Sequence, residues 1–560
     1  MRKHFIALVA IAVLTFFVGL GFPSIADSDE AFYAESAREM VESGDWLTPH
    51  FNYIYRFEKP VLYYWLAGLS YVTLGVSEMA ARLPSAFAGL GLTLVTFFSA
   101  RRWYDNSTGF LAGAITATSF GYVAMARQAL PDLTLTFFVS LSIWASLRLW
   151  CDPPFPSRPT EDSSGNRNLW ILTAGLGMAG GILTKGPLGI IIPCLVVIPL
   201  IVWQSRTLYR RPHFPLRDVL LLLLSVGFFA APWYLLMTLE HGPEYLDRFF
   251  LTENFDRFAT ARYNDPRPFW YYVPIVIGGM LPWSPFMLFW LRDILTAIRR
   301  RVFLAGPDLQ FAWWAIAPVL FFSLSIGKQP RYILPVLPPL AILLAWRLRS
   351  QFIDRKPEPL FKICIGITAA LLCLIGILVY RASPLLPQWP VSWIAMLSAL
   401  IVLSGLGVLL SLTRPSLTPA AIVGASILIS LGTHLVLLSS PRDNPVEEVA
   451  NILTSSRKDG EPYGRYRVLH RNLIFYTGAS FTELGIEQAV TDFLGSTHRV
   501  LVVLPSEDAL RLELEGHPIR RLGEVRYLNT GGLTLQALLS PDPNQYLQDI
   551  VIIDNQPSPK

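Results

Sequence analysis

Three acids, Asp27, Asp29 and Glu30, stand together directly after the first long apolar run of this 560-residue chain, and Phe57-Glu58-Lys59-Pro60 follows in the same polar stretch. Carboxylates and a lysine held against a bilayer are costly, and proteins keep them there mostly for chemistry or transport. Later, Asp132 follows Arg127-Gln128-Ala129-Leu130-Pro131, Lys185 sits in Thr184-Lys185-Gly186-Pro187, and Lys328, Arg331 and Tyr332 share Gly327-Lys328-Gln329-Pro330-Arg331-Tyr332. A carboxylate can orient a hydroxyl and take its proton. Lysine as a point charge and arginine in two-pronged fashion hold phosphate. The acids also have a plain structural reading, since Asp29, Glu30 and Asp132 each fall at a helix start, where the helix dipole favours negative charge. Capping needs one acid, not three.

A membrane must position these groups. Hydrophobic residues make up 52% of the chain and charged residues 16%, with a positive mean hydropathy. A soluble chain cannot hide that much apolar surface, so the composition specifies a polytopic membrane protein. The net charge of +5 does not point to nucleic acid, because the bases are confined to short loops between apolar runs. Cys151, Cys194, Cys364 and Cys373 lie in or beside apolar runs without paired spacing and read as core thiols.

At about 17 to 25 apolar residues per crossing, about thirteen helices are expected, near 5–22, 83–100, 108–125, 131–150, 169–184, 187–203, 218–237, 271–291, 311–326, 332–347, 362–380, 390–411 and 417–438. The first reads as a membrane helix and not as a cleaved leader, because Gly21-Phe22-Pro23 is a poor cleavage site. Clusters such as Arg2/Lys3, Arg101/Arg102, Arg299/Arg300/Arg301 and Arg347/Arg349 then share one side, which the bias of short loops makes cytoplasmic. The N-terminus is thus inside and the C-terminus outside. Val61 to Gly75, only about 15 residues, suits an interfacial or re-entrant helix.

In the first outer loop, 23–82, Ala31 to Glu42 carries Ala34, Ala37, Met40 and Val41 on one stripe and Glu35, Arg38, Glu39 and Glu42 on another, the pattern of an amphipathic helix lying at the interface. From about residue 440 the composition becomes that of a soluble domain. Arg499 to Pro505, Tyr466 to His470 and Leu533 to Leu539 read as strands and Ser506 to Glu515 as a helix. The expected architecture is an all-α polytopic membrane domain, 1–439, followed by a small α/β periplasmic domain, 440–560, read as a binding or packing module.

Many cations fall on the outer side against the charge bias: Arg38, Arg56, Lys59, Arg82, Arg127, Lys185, Arg248, Arg257, Arg262, Arg267, Lys328 and Arg331. An anionic, phosphate-bearing substrate explains them as a group, while pairing with acids such as Glu35, Glu58 or Glu253 explains any single one equally well.

The run Asp29-Glu30-Ala31-Phe32-Tyr33-Ala34-Glu35-Ser36-Ala37-Arg38, with Ser43-Gly44-Asp45-Trp46, resembles the opening loop of the aminoarabinose transferase and protein mannosyltransferase-like membrane glycosyltransferases. Phe57-Glu58-Lys59-Pro60, Arg82-Leu83-Pro84, Pro131-Asp132, Thr184-Lys185-Gly186-Pro187, Asn254-Phe255-Asp256-Arg257-Phe258 and Gly327-Lys328-Gln329-Pro330-Arg331-Tyr332 match further signatures, in order, over roughly 1–350. The resemblance implies a transferase that takes a sugar from a polyprenyl phosphate and hands it, by inverting displacement, to an acceptor on the outer face of a bacterial inner membrane. A lipid A-like phosphate, a protein or an envelope glycan would serve as acceptor, with no nucleic-acid partner. Asp29 matches the family's key acid, with Glu30 beside it and Asp132 as the second aspartate. Lys59 and Arg257 match donor-phosphate contacts and Tyr332 a hydroxyl partner, with Lys185, Lys328 and Arg331 on the phosphate side.

Some relatives bind a divalent metal through the Glu beside the Lys, here Glu58, and a His near the Asn-Phe segment. This chain has Thr252-Glu253-Asn254 there, with His241 the nearest histidine, so the resemblance carries over no certain cofactor. A lipid-linked sugar transporter or flippase is the rival class. It would place its acids mid-span and show repeated or broken spans in matching positions.

Overall fold

The computed structural model describes residues 2–27, 29–151, 167–207, 215–256, 260, 266–300, 306–353, 358–386, 389–437, 444–458, 460–468, 471–528 and 540–556. Helix α1 (Arg2–Phe16) leads through an irregular stretch to α2 (Asp29–Ser43), a hairpin of β1 (His50–Phe51) and β2 (Ile54–Tyr55), and α3 (Leu62–Leu74). With 13 residues, α3 is about 20 Å long, too short for a hydrocarbon core about 30 Å thick.

The membrane part continues as α4 (Glu78–Trp103), α5 (Asn106–Thr118), α6 (Phe120–Ala126), α7 (Pro131–Trp150), α8 (Arg167–Lys185), α9 (Leu188–Thr207), α10 (Leu216–Leu246), α11 (Tyr272–Gly279), α12 (Met287–Arg300), α13 (Gly306–Leu324), α14 (Leu337–Ile353), α15 (Pro359–Arg381), α16 (Val391–Leu410) and α17 (Thr418–Gly432). Among the described residues, seven helical stretches are long and apolar enough to cross a membrane, or up to nine if each bent pair is one span. The chain is an integral membrane protein. Helices α1, α8 and α13 coincide with other expected crossings but fall short in length or apolarity, and α9, described in full only over Leu188–Gln204, coincides with a further one.

The bent pairs correct the sequence reading. The stretch near 108–125 is α5 and α6 meeting at 59°, and the stretch near 271–291 is two helices meeting at 118°. Pro282 lies in the second break and has no N–H with which to continue the first helix, while Pro285 sits in the first turn of the helix that follows, where proline is tolerated.

Small residues set the helix approach that matters for the site. A Cβ added at Gly180 of α8 would lie 2.4 Å from the Phe138 ring, and one at Gly177 would lie 2.7 Å from the Phe138 carbonyl oxygen on α7. Glycine at these positions lets the two backbones close up, as small residues do between membrane helices. Because α7 and α8 run antiparallel, the start of one meets the end of the other.

The C-terminal residues form a five-stranded mixed sheet of β3 (Tyr463–Arg465), β4 (Phe481–Glu483), β5 (Leu501–Pro505), β6 (Arg520–Leu528) and β7 (Leu547–Asp554), in the order β4-β3-β5-β7-β6. Strands β3, β4 and β5 are parallel; β7 runs antiparallel to both β5 and β6. Period-2 alternation sends Leu501, Val503, Ile550 and Ile552 to one face, under α18 (Pro445–Ser456) and α19 (Leu473–Thr477). Val502, Leu504, Val551 and Ile553 go to the other, under α20 (Glu487–Leu494) and α21 (Ser506–Leu514). The expected strand near 499–505 and the helix after it are present. The strand expected at 466–470 instead ends at Arg465, before Arg467, whose φ of +54° breaks an extended path. Leu533 to Leu539 lies outside the described residues.

Helix α2 is not an open interfacial helix. Its apolar stripe is buried as expected, yet Glu35 and Glu39 of the polar stripe are also buried, at 0% and 1% exposure. Glu35 pairs with Arg38, and Glu39 accepts the backbone N–H groups of Asn52 and Tyr53 at the hairpin tip. Asn52 in turn makes a reciprocal pair with the backbone of Phe481 on β4. The hairpin and the C-terminal sheet therefore cover the face that sequence alone assigns to water.

Candidate active site

Asp29 and Glu30 are adjacent on α2 but differ in environment. Glu30 is 4% exposed and accepts from Ala26 N (2.8 Å), Ala129 N (2.7 Å), Arg82 Nε (2.8 Å) and Arg82 Nη2 (3.0 Å). Both of its oxygens are thus occupied. Arg82 also donates to the carbonyls of Leu20, Pro23 and Ser24. Glu30 is a buried anchor, and the geometry does not support the catalytic contact expected of it. Arg82 and Arg127 are likewise not free for an anion, since Arg127 donates to the carbonyls of Thr15 and Val18 near the end of α1.

The Asp29 side chain is 44% exposed and pairs with Nη2 of Arg331. The Nε of the same guanidinium lies 3.5 Å from Oδ2 of Asp132, a buried residue in the first turn of α7. The other oxygen of Asp132 is 2.6 Å from Lys185 Nζ. Lys185 ends α8, and Gly186 with φ +70° turns the chain there. The ammonium of Lys185 also lies 5.3 Å from the centroid of the Tyr332 ring, within cation–π range. Four segments far apart in sequence thus converge on the set Asp29, Arg331, Asp132, Lys185 and Tyr332. The bridging position of Arg331 between the two aspartates has no signal in the sequence.

Lys59 lies close by. It donates to the Glu58 carbonyl at 2.8 Å and approaches Glu253 at 3.8 Å, and its charge acts on Asp132. Lys328 is buried and donates to the carbonyls of Ser325 and Arg267. Arg257 lies outside the described residues. A cavity of about 1010 Å³ is lined by Asp29, Arg267, Lys328 and Arg331 on its polar side and by residues such as Met125 and Ile333 on its apolar side.

Glu58 sits 3.6 Å from both Arg56 and Arg248, while His241 is 2.8 Å from Thr48 Oγ1. Among the described residues no group of three or more metal-ligating side chains converges.

An exposed carboxylate at a cavity wall can hold a polar group and accept its proton. Fixed cations behind it can neutralise a developing phosphate charge.

Residues 4–239 match the family described as dolichyl-phosphate-mannose-protein mannosyltransferase. An undecaprenyl phosphate-alpha-4-amino-4-deoxy-L-arabinose arabinosyl transferase of Erwinia tasmaniensis is 31% identical over 363 residues, 64% of this chain and 62% of that relative. The fold of ArnT from Cupriavidus metallidurans bound to undecaprenyl phosphate superposes with a TM-score of 0.72 at 25% identity, covering 99% of both chains. The chain is similar to the aminoarabinose transferases and protein mannosyltransferase-like glycosyltransferases. Its alignment with the curated relatives spans about 62% of their length. An archaeal oligosaccharyltransferase from Archaeoglobus fulgidus shares the fold more loosely, with a TM-score of 0.51 at 12% identity over 89% of this chain and 69% of that one.

Proposed function

We propose that this chain is a membrane glycosyltransferase that moves a sugar from a polyprenyl-phosphate donor to an acceptor on the periplasmic face of a bacterial inner membrane. The acceptor is a lipid A-like phosphate, a protein or an envelope glycan. One observation carries this reading: Asp29, Asp132, Lys185 and Arg331 converge beside a cavity, in a fold shared along 99% of its length with a protein solved with undecaprenyl phosphate. The names of the relatives support an amino-sugar donor of that class and favour a transferase over a flippase.

In this scheme an acceptor oxygen attacks the anomeric carbon, the bond from that carbon to the phosphate oxygen breaks, and polyprenyl phosphate leaves with inversion at the sugar. Asp29 orients the acceptor and takes its proton when it is an alcohol. Lys59, Lys185, Arg257 and Arg331 stabilise the leaving phosphate with Tyr332 and Lys328 alongside, and Asp132 holds Lys185 and Arg331 in place. About thirteen crossings, a cytoplasmic N-terminus, a membrane domain 1–439 and a periplasmic α/β domain 440–560 complete the reading.

Membranes containing the chain, supplied with radiolabelled undecaprenyl-phosphate sugars (4-amino-4-deoxy-L-arabinose first), should move label into a lipid, protein or glycan fraction. Label that stays on the prenyl lipid across the sugars tried, with the protein present, rejects the transferase reading.

A further inference from the structure

The described part of the irregular segment between α1 and α2 ends at Asp27, two residues before Asp29, and the C-terminal sheet unit holds it. Ile25 is fully buried, and both its backbone groups are taken by one turn of chain about 450 residues away. Its N–H donates to the Tyr476 hydroxyl at 2.8 Å, and its carbonyl accepts from Asn472 Nδ2 at 2.7 Å. The Arg471 backbone N–H donates to Asp27 Oδ1 at 2.6 Å. The Tyr476 hydroxyl also donates to Glu78 at 3.0 Å, in the first turn of α4. One hydroxyl therefore ties three elements together: the segment before Asp29, the start of α4 and α19.

We infer that Asn472 and Tyr476 are positioning residues for Asp29, so that the C-terminal unit sets the geometry of the proposed catalytic acid. The inference rests on the transferase reading above. Asp29 is itself partly exposed and has Arg331 as its ion-pair partner, so the path of the backbone before it decides where its carboxylate lies. Arg82 holds that path from the membrane side through the Leu20, Pro23 and Ser24 carbonyls. Asn472 and Tyr476 hold it from the outer side. A displacement of about 1 Å at a reacting group can cost on the order of 100-fold in rate, while the donor-phosphate groups Lys59 and Lys185 are on other elements and stay where they are.

The test uses the full chain in native membranes with radiolabelled undecaprenyl-phosphate 4-amino-4-deoxy-L-arabinose as donor and compares Tyr476→Phe, Asn472→Ala and the surface control Glu513→Gln. Tyr476→Phe keeps the ring and its packing against Phe475 and removes only the hydroxyl, so it is the variant that should still fold. The expected result is a fall in kcat of about 10- to 100-fold for both interface variants. Donor KM should stay within about twofold and protein level should be normal, the split that marks an interaction realised in the transition state. Glu513→Gln should match the native protein. Unchanged kcat in both interface variants overturns the inference, and so does a parallel change in donor KM with falling thermal stability, which marks mere loosening of the fold. Absence of turnover in the native protein itself defeats the transferase reading first, and this inference with it.

Discussion

Asp132 and Lys185 form an ion pair with Oδ1 and Nζ 2.6 Å apart, their side chains only 4% and 9% exposed. The pair joins the first turn of α7 to the last residue of α8, and the glycine-lined approach of those helices makes it reachable. It also ties the site to the membrane core, because Asp132 shares its other oxygen with Arg331.

Breaking one side of this pair leaves a buried charge without its main partner. Lys185→Met should therefore destabilise the protein by about 3–5 kcal/mol. The paired variant Lys185→Met/Asp132→Leu should regain most of that loss and still transfer no sugar. Unfolding of the solubilised protein, read beside donor turnover, separates the two effects. A paired variant with native turnover contradicts the roles proposed for both residues.

The neighbours Asp29 and Glu30 should behave oppositely. Glu30→Gln disturbs four hydrogen bonds, three of them buried, and leaves Arg82 without its carboxylate, so a loss of about 3–5 kcal/mol and little folded protein are expected. Asp29→Asn should fold normally. Thermal unfolding of the two variants in the same detergent checks the contrast.

Glu39 gives a pH dependence. Burial first, and then the facing Glu35 carboxylate, push its carboxyl up to about 8. The folded state therefore binds this proton more tightly than the unfolded chain, where a glutamate titrates near 4.5. The resulting stabilisation is fully present below about pH 4.5 and is lost as pH rises through about 8. The hairpin–sheet contact should accordingly loosen in alkali. Hydrogen exchange at Asn52 and Tyr53 should speed up between pH 6 and 9, after correction for intrinsic rates, and Glu39→Gln should flatten that rise (about these values, from the linkage of proton binding to stability).

Much of this was legible in the residues and some was not. Apolar run length located a helix in every stretch expected to cross, and alternation located β5 and the helix after it. Run length is blind to direction, however, so the bends at Ser119 and at Pro282 to Pro285 were read as straight spans, although the two prolines were a usable signal. Charge sign separated the cations from the membrane core but named no partners. Arg82 and Arg127 looked available for an anion until the structure showed them binding carbonyls around the end of α1. The polar stripe of α2 misled for a related reason, since its cover comes from the hairpin and from a sheet more than 400 residues away. No local pattern reports a contact of that range. The acids and cations of the site were named from their motifs, but Arg331 as the link between Asp29 and Asp132 emerged only in three dimensions.

The proposed role of Asp29 calls first for mass spectrometry of envelope lipids and glycans from cells making either the native chain or Asp29→Asn at equal protein level. A glycosylated product should disappear in the variant while its polyprenyl-phosphate sugar accumulates. Identical profiles would reduce Asp29 to a helix cap and contradict the assignment.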